Sequence, residues 1–347
     1  MNYSELLQLA KGWGNFISGR IIIWRLQYNS CFSELITQYI SERRNSGFMF
    51  DNPAYWLYRF DQYCLDNKIQ EVSISKKLYQ EWASISASET KVTQNNRLQA
   101  LRGFSVYLNT LGIISYIPHV LPKAEKNVPY LMEDTDILAF FEQLDRYNPH
   151  STVNSFNRMA TEYKVLFRVI YCCGLRNNEA CSLKIKNVDT VHGVITIIHS
   201  KGDKDRAICL SEDVRKLCSQ YKAWLVSLCP TSEWFFPGKY PEQHIPKTSV
   251  DRKFNEFWNA TELSKQTDKK PTVHSLRHAY VTKRMNLWMK SDTDLKVMMP
   301  YLSQYLGHKG PVETYYYYHQ VQEIFETIRR KDKISSRVIP EVRYEKD

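Results

Sequence analysis

The sequence has no spaced cysteine framework, no long apolar run and no repeat of fixed period. Its eight cysteines include no Cys-x-x-Cys pair, and several lie in apolar stretches, where a free thiol behaves as a small hydrophobic group. The N-terminus lacks a basic segment followed by an apolar one, and the run at residues 21–24 is too short to cross a bilayer. These absences argue against a disulfide-stapled, secreted or membrane-spanning protein, and we expect a cytoplasmic one.

The sequence has fewer acidic residues than basic ones. The 347 residues include 47 Lys and Arg against 37 Asp and Glu, which gives a net charge of +10, and 43% of them are hydrophobic. At about 150 residues per domain, this length suggests two domains with ordinary cores. A basic protein of this size favours a polyanionic partner, either nucleic acid or an anionic membrane surface. A basic surface with no such partner is the alternative.

Apolar residues spaced three and four apart predict helices over most of the chain. The clearest stripe, Leu98 to Leu111, stops at Gly112, and a proline-bearing connector follows it. Runs rich in β-branched residues at 194–198 and 207–210 flank a turn-forming segment and predict a hairpin. We therefore expect a mainly α fold with a small antiparallel β-sheet (α+β). Its predicted parts are an N-terminal extension (1–30), a helical domain (31–115), a linker (116–129), a second domain (130–333) and a C-terminal tail (334–347).

Cations, imidazoles and tyrosines are concentrated in four blocks of the second domain. These blocks are GLRNNEA from residue 174, the hairpin turn KGDKDR from 201, HSLRH from 274, and LGH from 306 with YYYYH from 315. In order and spacing they resemble the tyrosine recombinase (phage integrase) family across residues 128–330. The helical domain before them is similar to that family's core-binding (SAM-like) domain. The resemblance implies a catalytic set of Arg176, Lys201, His274, Arg277, His308 and Tyr317.

That resemblance implies attack of a tyrosine oxygen on a DNA phosphodiester, giving a 3′-phosphotyrosine and a free 5′-hydroxyl. Two arginines suit the extra negative charge of the transition state, because a guanidinium binds phosphate oxygens bidentately and stays charged, so no metal or other cofactor is expected. We expect His274 to accept the phenol proton, His308 to bond the phosphate, and Lys201 to protonate the leaving group. Lys204 is the alternative acid, and Glu179 has a supporting role.

Several choices stay open in the sequence. Tyr316 replaces Tyr317 if the register of the four tyrosines is shifted. The spacing of His274 and His278 also occurs in metal sites, but no third ligand is evident, and we expect His278 to pack or bond locally. Arg97, Arg102 and Lys204 are predicted to contact DNA phosphates, with solvated helix positions as the alternative for the two arginines. The stretch between HSLRH and LGH, which contains residues 290–294, is several residues longer than is usual in the family.

The function implied is site-specific recombination that serves integration or excision of a mobile element, as in transposition. The expected partners are double-stranded DNA, clamped between the two domains, and three further copies in a homotetramer at the synapse. An accessory directionality factor or partner recombinases are also expected. We expect no association with a membrane. We expect the tail after residue 334 to dock on an adjacent protomer. Alternatives are a type IB topoisomerase or telomere resolvase, Xer-type chromosome-dimer resolution, and a non-catalytic DNA-binding protein.

Overall fold

The computed structural model describes residues 26–84, 89–122, 129–198, 205–267, 269–291, 293–308 and 310–318. The chain divides into two compact units, Met1–Val128 and Pro129–Asp347. Most of the predicted N-terminal extension, the predicted C-terminal tail, Lys201, Lys204 and His319 lie outside the described residues. No helix in the described ranges is both long and apolar enough to cross a membrane.

The first unit is helical, as predicted. Its helices are α1 (Ser33–Asn45), α2 (Asp51–Asp66), α3 (Lys76–Ala83) and α4 (Lys91–Thr110). The Ser75 side chain caps α3 by accepting from the Leu78 amide, and Gly112 follows α4 with a positive φ. Of the predicted α4 stripe, Leu98, Leu101, Phe104 and Leu108 are buried against α1 and α2 in a core that includes Ile36, Leu57 and Phe60, whereas Leu111, just past the helix, is 49% exposed. Asp51 to Pro53 form the first turn of α2.

The second unit combines helices with one small sheet. It contains α5 (Asp134–Arg146), α6 (Asn154–Cys173), α7 (Asn177–Cys181), β1 (Val188–Asp189), β2 (Val194–Ile197), β3 (Arg206–Cys209), α8 (Glu212–Leu228), α9 (Lys247–Asn259), α10 (Val273–Lys290), α11 (Leu295–Leu306) and α12 (Pro311–Tyr318). Short 3-10 helices occupy Ile185–Asn187 and Glu262–Lys265. This mainly α arrangement with a small antiparallel sheet confirms the predicted fold class.

The sheet contains the predicted hairpin and one additional strand. β2 and β3 pair antiparallel, with Ile197 opposite Arg206, and β1 extends the sheet on the other side of β2. The register matters for the site, because it fixes Arg206 at the end of β3 nearest the hairpin turn. β1 has only two residues, too few to produce the alternation by which a strand is recognised in sequence.

Helix α6 positions the site. It packs against α8 and α10, and its buried face includes Leu166, Phe167 and Ile170. Gly174 ends it in the left-handed conformation, and the chain turns directly into α7. A separate apolar cluster joins α10, α11 and α12 through Met285, Leu302 and Tyr317, so these three helices support the same region.

Candidate active site

Two helix ends form the frame of the site. α6 ends at Gly174 with φ 62°, and α11 ends at Gly307 with φ 66°. A Cβ at Gly174 would lie 2.6 Å from the Tyr280 ring, and one at Gly307 would lie 2.9 Å from Arg206 Nη1. Both positions therefore require glycine, for conformation and for space. The carbonyl oxygens at a helix C-terminus carry partial negative charge, which favours cations beside these two ends.

Arg277 lies between the two helix ends. It is 1% exposed, and it donates from Nη1 to the Gly174 carbonyl and from Nη2 to the Leu306 carbonyl, each at 2.8 Å. Burial and the nearby Arg176 lower the pKa of Arg277 to about 10, which still leaves it charged at neutral pH. Its buried Nε has no hydrogen-bond partner among the residues that the structure describes. The guanidinium is thus rigidly held and retains an N–H that can bind an acceptor.

Arg176 is held by the second helix end and by a carboxylate. It caps α7, donates from Nη2 to the Gly307 carbonyl at 2.8 Å and from Nη1 to Glu179 Oε1 at 2.8 Å, while its backbone N–H donates to Glu179 Oε2 at 2.9 Å. Burial would raise the pKa of Glu179, but hydrogen bonds and positive charge from Arg206 and Arg176 lower it below its usual value. The ionised Glu179 therefore orients Arg176.

Arg206 is a member of this cluster to which the sequence analysis gave no role. It donates to both Glu179 oxygens, at 3.0 and 2.7 Å, and from Nε to the Tyr305 carbonyl at 2.7 Å. This bidentate pair ties β3 to α7 and to the last turn of α11. The feature of the sequence that points to Arg206 is its position as the last residue of the KGDKDR turn.

His308 is neutral, and its tautomer is fixed. Arg277 Nη2 lies 3.1 Å from Nε2, and since a guanidinium only donates, Nε2 must accept. Nδ1 therefore carries the hydrogen and donates to Thr314 Oγ1 at 2.7 Å. Burial and the charge of Arg277 lower the pKa of His308 to about 4. Both ring nitrogens are engaged within the protein, so the expected bond to phosphate would require one of these contacts to break.

Of Tyr315 and Tyr317, the two tyrosines of α12 whose side chains the structure describes, Tyr317 is the one that reaches the cluster. It is 4% exposed, and its hydroxyl lies 2.8 Å from Nδ1 of His278 on α10. The His278 ring meets the His274 ring edge-on, with centroids 4.5 Å apart, and His274 itself is exposed. Loss of solvation and the charges of Arg277 and Arg176 lower the pKa of His274 to about 4. Tyr315 is 39% exposed on α12.

The structure gathers six of the residues that the sequence singled out: Arg176, Glu179, His274, Arg277, His308 and Tyr317. Arg102 is exposed on α4. Arg97 is buried on the same helix, and its guanidinium is bonded to Glu89 and to main-chain carbonyls, among them that of Ser84 at 2.9 Å. This guanidinium is used inside the helical unit, which argues against its predicted contact with DNA phosphate.

The cluster has the chemistry of a site that binds and reacts with a phosphate group. Two fixed guanidinium groups supply charge and N–H donors, neutral imidazoles supply proton acceptors, and a phenol supplies a nucleophile. Among the described residues, no three His, Cys, Asp or Glu side chains are placed to hold a metal ion together.

Comparison with known proteins identifies the family. The model of the phage integrase family matches residues 142–324. A putative integrase/recombinase, y4rB of Sinorhizobium fredii, is 26% identical over 316 residues, covering 88% of this chain and 98% of the relative. Tyrosine recombinase XerD of Pseudomonas putida is 26% identical over 232 residues, covering 64% of this chain and 69% of the relative. The chain therefore belongs to the phage integrase family, and it is a tyrosine-type site-specific recombinase.

Two solved structures share the fold. The XerH site-specific recombinase bound to palindromic difH substrate is 22% identical with a TM-score of 0.60, covering 85% of this chain and 83% of that one. The Tn1549 transposon integrase in complex with transposon right end DNA is 13% identical with a TM-score of 0.57, covering 87% of this chain and 99% of that one.

Stability should fall as the pH drops from about 6.5 towards 4, because three rings of the site resist protonation. From an ordinary 6.5, burial and the nearby charges lower the pKa of His278 to about 3 and of His308 to about 4, and loss of solvation with the charges of Arg277 and Arg176 lowers that of His274 to about 4. In this window the unfolded chain binds protons that the folded one does not, so stability rises with pH. Each unit of pKa difference carries about 1.4 kcal/mol, less where solvent reaches the ring.

Urea unfolding at pH 5 and pH 7 measures this effect. The denaturation midpoint should be lower at pH 5, and the difference should shrink in the variant H274N/H278N/H308N, since asparagine does not titrate. A pH dependence of equal size in that variant would show that other groups cause it.

Proposed function

We propose that Tyr317 attacks a DNA phosphodiester in line with the 5′-oxygen. A bond forms between the phenol oxygen and phosphorus, the bond from phosphorus to the 5′-oxygen breaks, and a 3′-phosphotyrosine and a free 5′-hydroxyl result. The energy of the ester is kept, so the reverse attack by a 5′-hydroxyl of another strand joins the ends. The observation that carries this proposal is the burial of the Tyr317 hydroxyl among the arginines and imidazoles of the site.

In the proposed mechanism, Arg176 and Arg277 stabilise the negative charge that develops on the non-bridging phosphate oxygens. This role is supported by the preorganisation of the two side chains. Both guanidinium groups donate to main-chain carbonyls, and Glu179 also fixes Arg176. Donors that need no reorganisation during the reaction are the most effective ones. The buried Nε of Arg277, which has no hydrogen-bond partner in the described part of the chain, is the donor that we assign to a phosphate oxygen.

Two proton transfers accompany the strand cleavage. In this proposal the Tyr317 hydroxyl accepts from His278 Nδ1 and gives its own proton to His274, whose exposed ring makes no hydrogen bond within the described part of the chain. The 5′-oxygen receives its proton from Lys201, with Lys204 as the alternative; both lie outside the described residues. Arg206, five positions after Lys201 in the sequence, is bonded to Glu179, which supports placing the hairpin turn at the site.

The biological role that we propose is integration or excision of a mobile element. A putative integrase/recombinase and a transposon integrase among the similar proteins favour this role. Xer-type chromosome-dimer resolution is the second candidate, favoured by the likeness to XerD and XerH. In either role we propose that double-stranded DNA is bound by a homotetramer, with Arg102 and Lys204 on phosphates and the tail of each protomer on its neighbour. A directionality factor or a partner recombinase completes the assembly.

A nicked duplex tests this proposal. If the strand is nicked just 3′ of the cleavage site, the short 5′-hydroxyl fragment diffuses away and the protein stays trapped on the 3′ end. We expect a protein–DNA adduct that survives denaturant, and transfer of the trapped strand when a second duplex with a 5′-hydroxyl is added. Cleavage without attachment would contradict the proposal. Relaxation of supercoils without joining of two duplexes would favour the topoisomerase alternative.

A further inference from the structure

His278 lies against the reacting atom of the proposed nucleophile. Its Nδ1 is 2.8 Å from the Tyr317 hydroxyl, and the two side chains are 9% and 4% exposed. The two residues are 39 positions apart in the sequence and belong to different helices, α10 and α12. The contact is therefore a tertiary one, which helix periodicity could not reveal.

The surroundings of His278 fix its ring. It follows Arg277 directly on α10, so one turn of one helix holds both the phosphate-binding guanidinium and the imidazole. The His274 ring meets it edge-on at 4.5 Å between centroids, and the Tyr317 ring lies at 5.1 Å. A ring held in this way gives the hydroxyl a fixed position relative to Arg277.

We propose that His278 holds the Tyr317 hydroxyl through Nδ1 and thereby sets the direction from which the nucleophile approaches the phosphate. The proposal rests on the proposed function, since it requires Tyr317 to be the nucleophile. It adds to that function a third histidine, one that the sequence analysis expected to pack or bond locally.

The role is one of positioning, and the charge state of the ring agrees with it. Burial, together with the nearby His274 and Arg277, lowers the pKa of His278 to about 3, so the ring is neutral at pH 7. A neutral imidazole can bond a phenol in either tautomer, because the hydroxyl both donates and accepts. A nucleophile misplaced by about 1 Å can lose about 10²-fold in rate, which is the size of effect expected here.

Three substitutions separate positioning from packing. H278N keeps a polar nitrogen or oxygen near the place of Nδ1, H278Q moves its amide to the place of Nε2, and H278L keeps an apolar side chain of similar bulk. The rate of covalent adduct formation on the nicked duplex should fall about 10²-fold in H278L and H278Q and recover most of the loss in H278N. DNA affinity, measured separately, should be the same in all three. T282V, one turn along α10, is the matched control, because among the described residues the Thr282 hydroxyl bonds main-chain carbonyls of its own helix, those of His278 and Ala279, and no side chain of the site.

Each outcome decides between the two proposals. If H278L attaches at the wild-type rate while Y317F does not attach, the positioning role is wrong and the nucleophile stands. If Y317F attaches, the proposed function itself fails. Equal rates in H278N and H278Q overturn the assignment to Nδ1. If H278L does not fold, the comparison of H278N with H278Q still tests the positioning role. Their melting temperatures show whether both variants are folded.

Discussion

Replacing Tyr317 by phenylalanine should abolish covalent attachment to DNA and leave DNA binding unchanged. The substitution removes one oxygen, which is the atom that we propose forms the bond to phosphorus, from its buried position beside His278. The loss of that buried hydrogen bond should cost about 1–3 kcal/mol of stability, so the variant should fold. The measurement is the amount of denaturant-resistant adduct on the nicked duplex, beside a binding assay with the same DNA.

Tyr315 provides the matched control for this experiment. It belongs to the same helix and the same run of tyrosines, but it is 39% exposed. Y315F should therefore attach to DNA at the wild-type rate. If Y316F loses attachment while Y317F keeps it, the nucleophile is Tyr316 and the register of the four tyrosines is shifted by one.

Replacing Arg277 by lysine should lower the cleavage rate by about 10²–10³-fold, although the charge is retained. The guanidinium bonds the Gly174 carbonyl, the Leu306 carbonyl and His308 Nε2 at the same time, and its Nε–H, which we propose donates to the phosphate, has no partner among the described residues. A lysine has three N–H groups on one nitrogen and cannot reproduce this planar fork. Single-turnover cleavage with saturating protein measures the effect apart from binding.

The control for this substitution lies on the same helix. Arg284 is exposed on α10 and lies over the Tyr280 ring, so R284K should cleave at the wild-type rate. Cleavage by R277K within a few-fold of wild type would contradict the proposed phosphate site. Melting temperatures of both variants show whether a loss of rate reflects a loss of fold.

Local features of the fold could be predicted because their causes are local. The buried stripe of α4, the Ser75 cap and the glycine end of α6 follow from residue type and spacing within a few positions. Arg97 shows the limit of such reasoning. Its partners, Glu89 and the carbonyls of Trp82 and Ser84, are brought to it by the path of the chain before α4, which no periodicity records.

The same limit applies to the site. The motifs identified the six gathered residues because each motif is a short local pattern. The bond from His278 to Tyr317 and the pair of Arg206 with Glu179 join segments 39 and 27 positions apart, and they depend on how α10 meets α12 and how β3 meets α7. Contacts of this kind are set by packing, so the structure was needed to find them.

The two helix ends at Gly174 and Gly307 affect which residues of such a protein can change during evolution. Three main-chain carbonyls accept hydrogen bonds from the two arginines. Because main-chain atoms are present whatever the side chains, residues on the outer surfaces of the surrounding helices can be substituted without displacing the arginines. Retargeting the enzyme to a new DNA sequence should therefore tolerate broad substitution across those outer faces, provided that both glycines and Glu179 are left untouched.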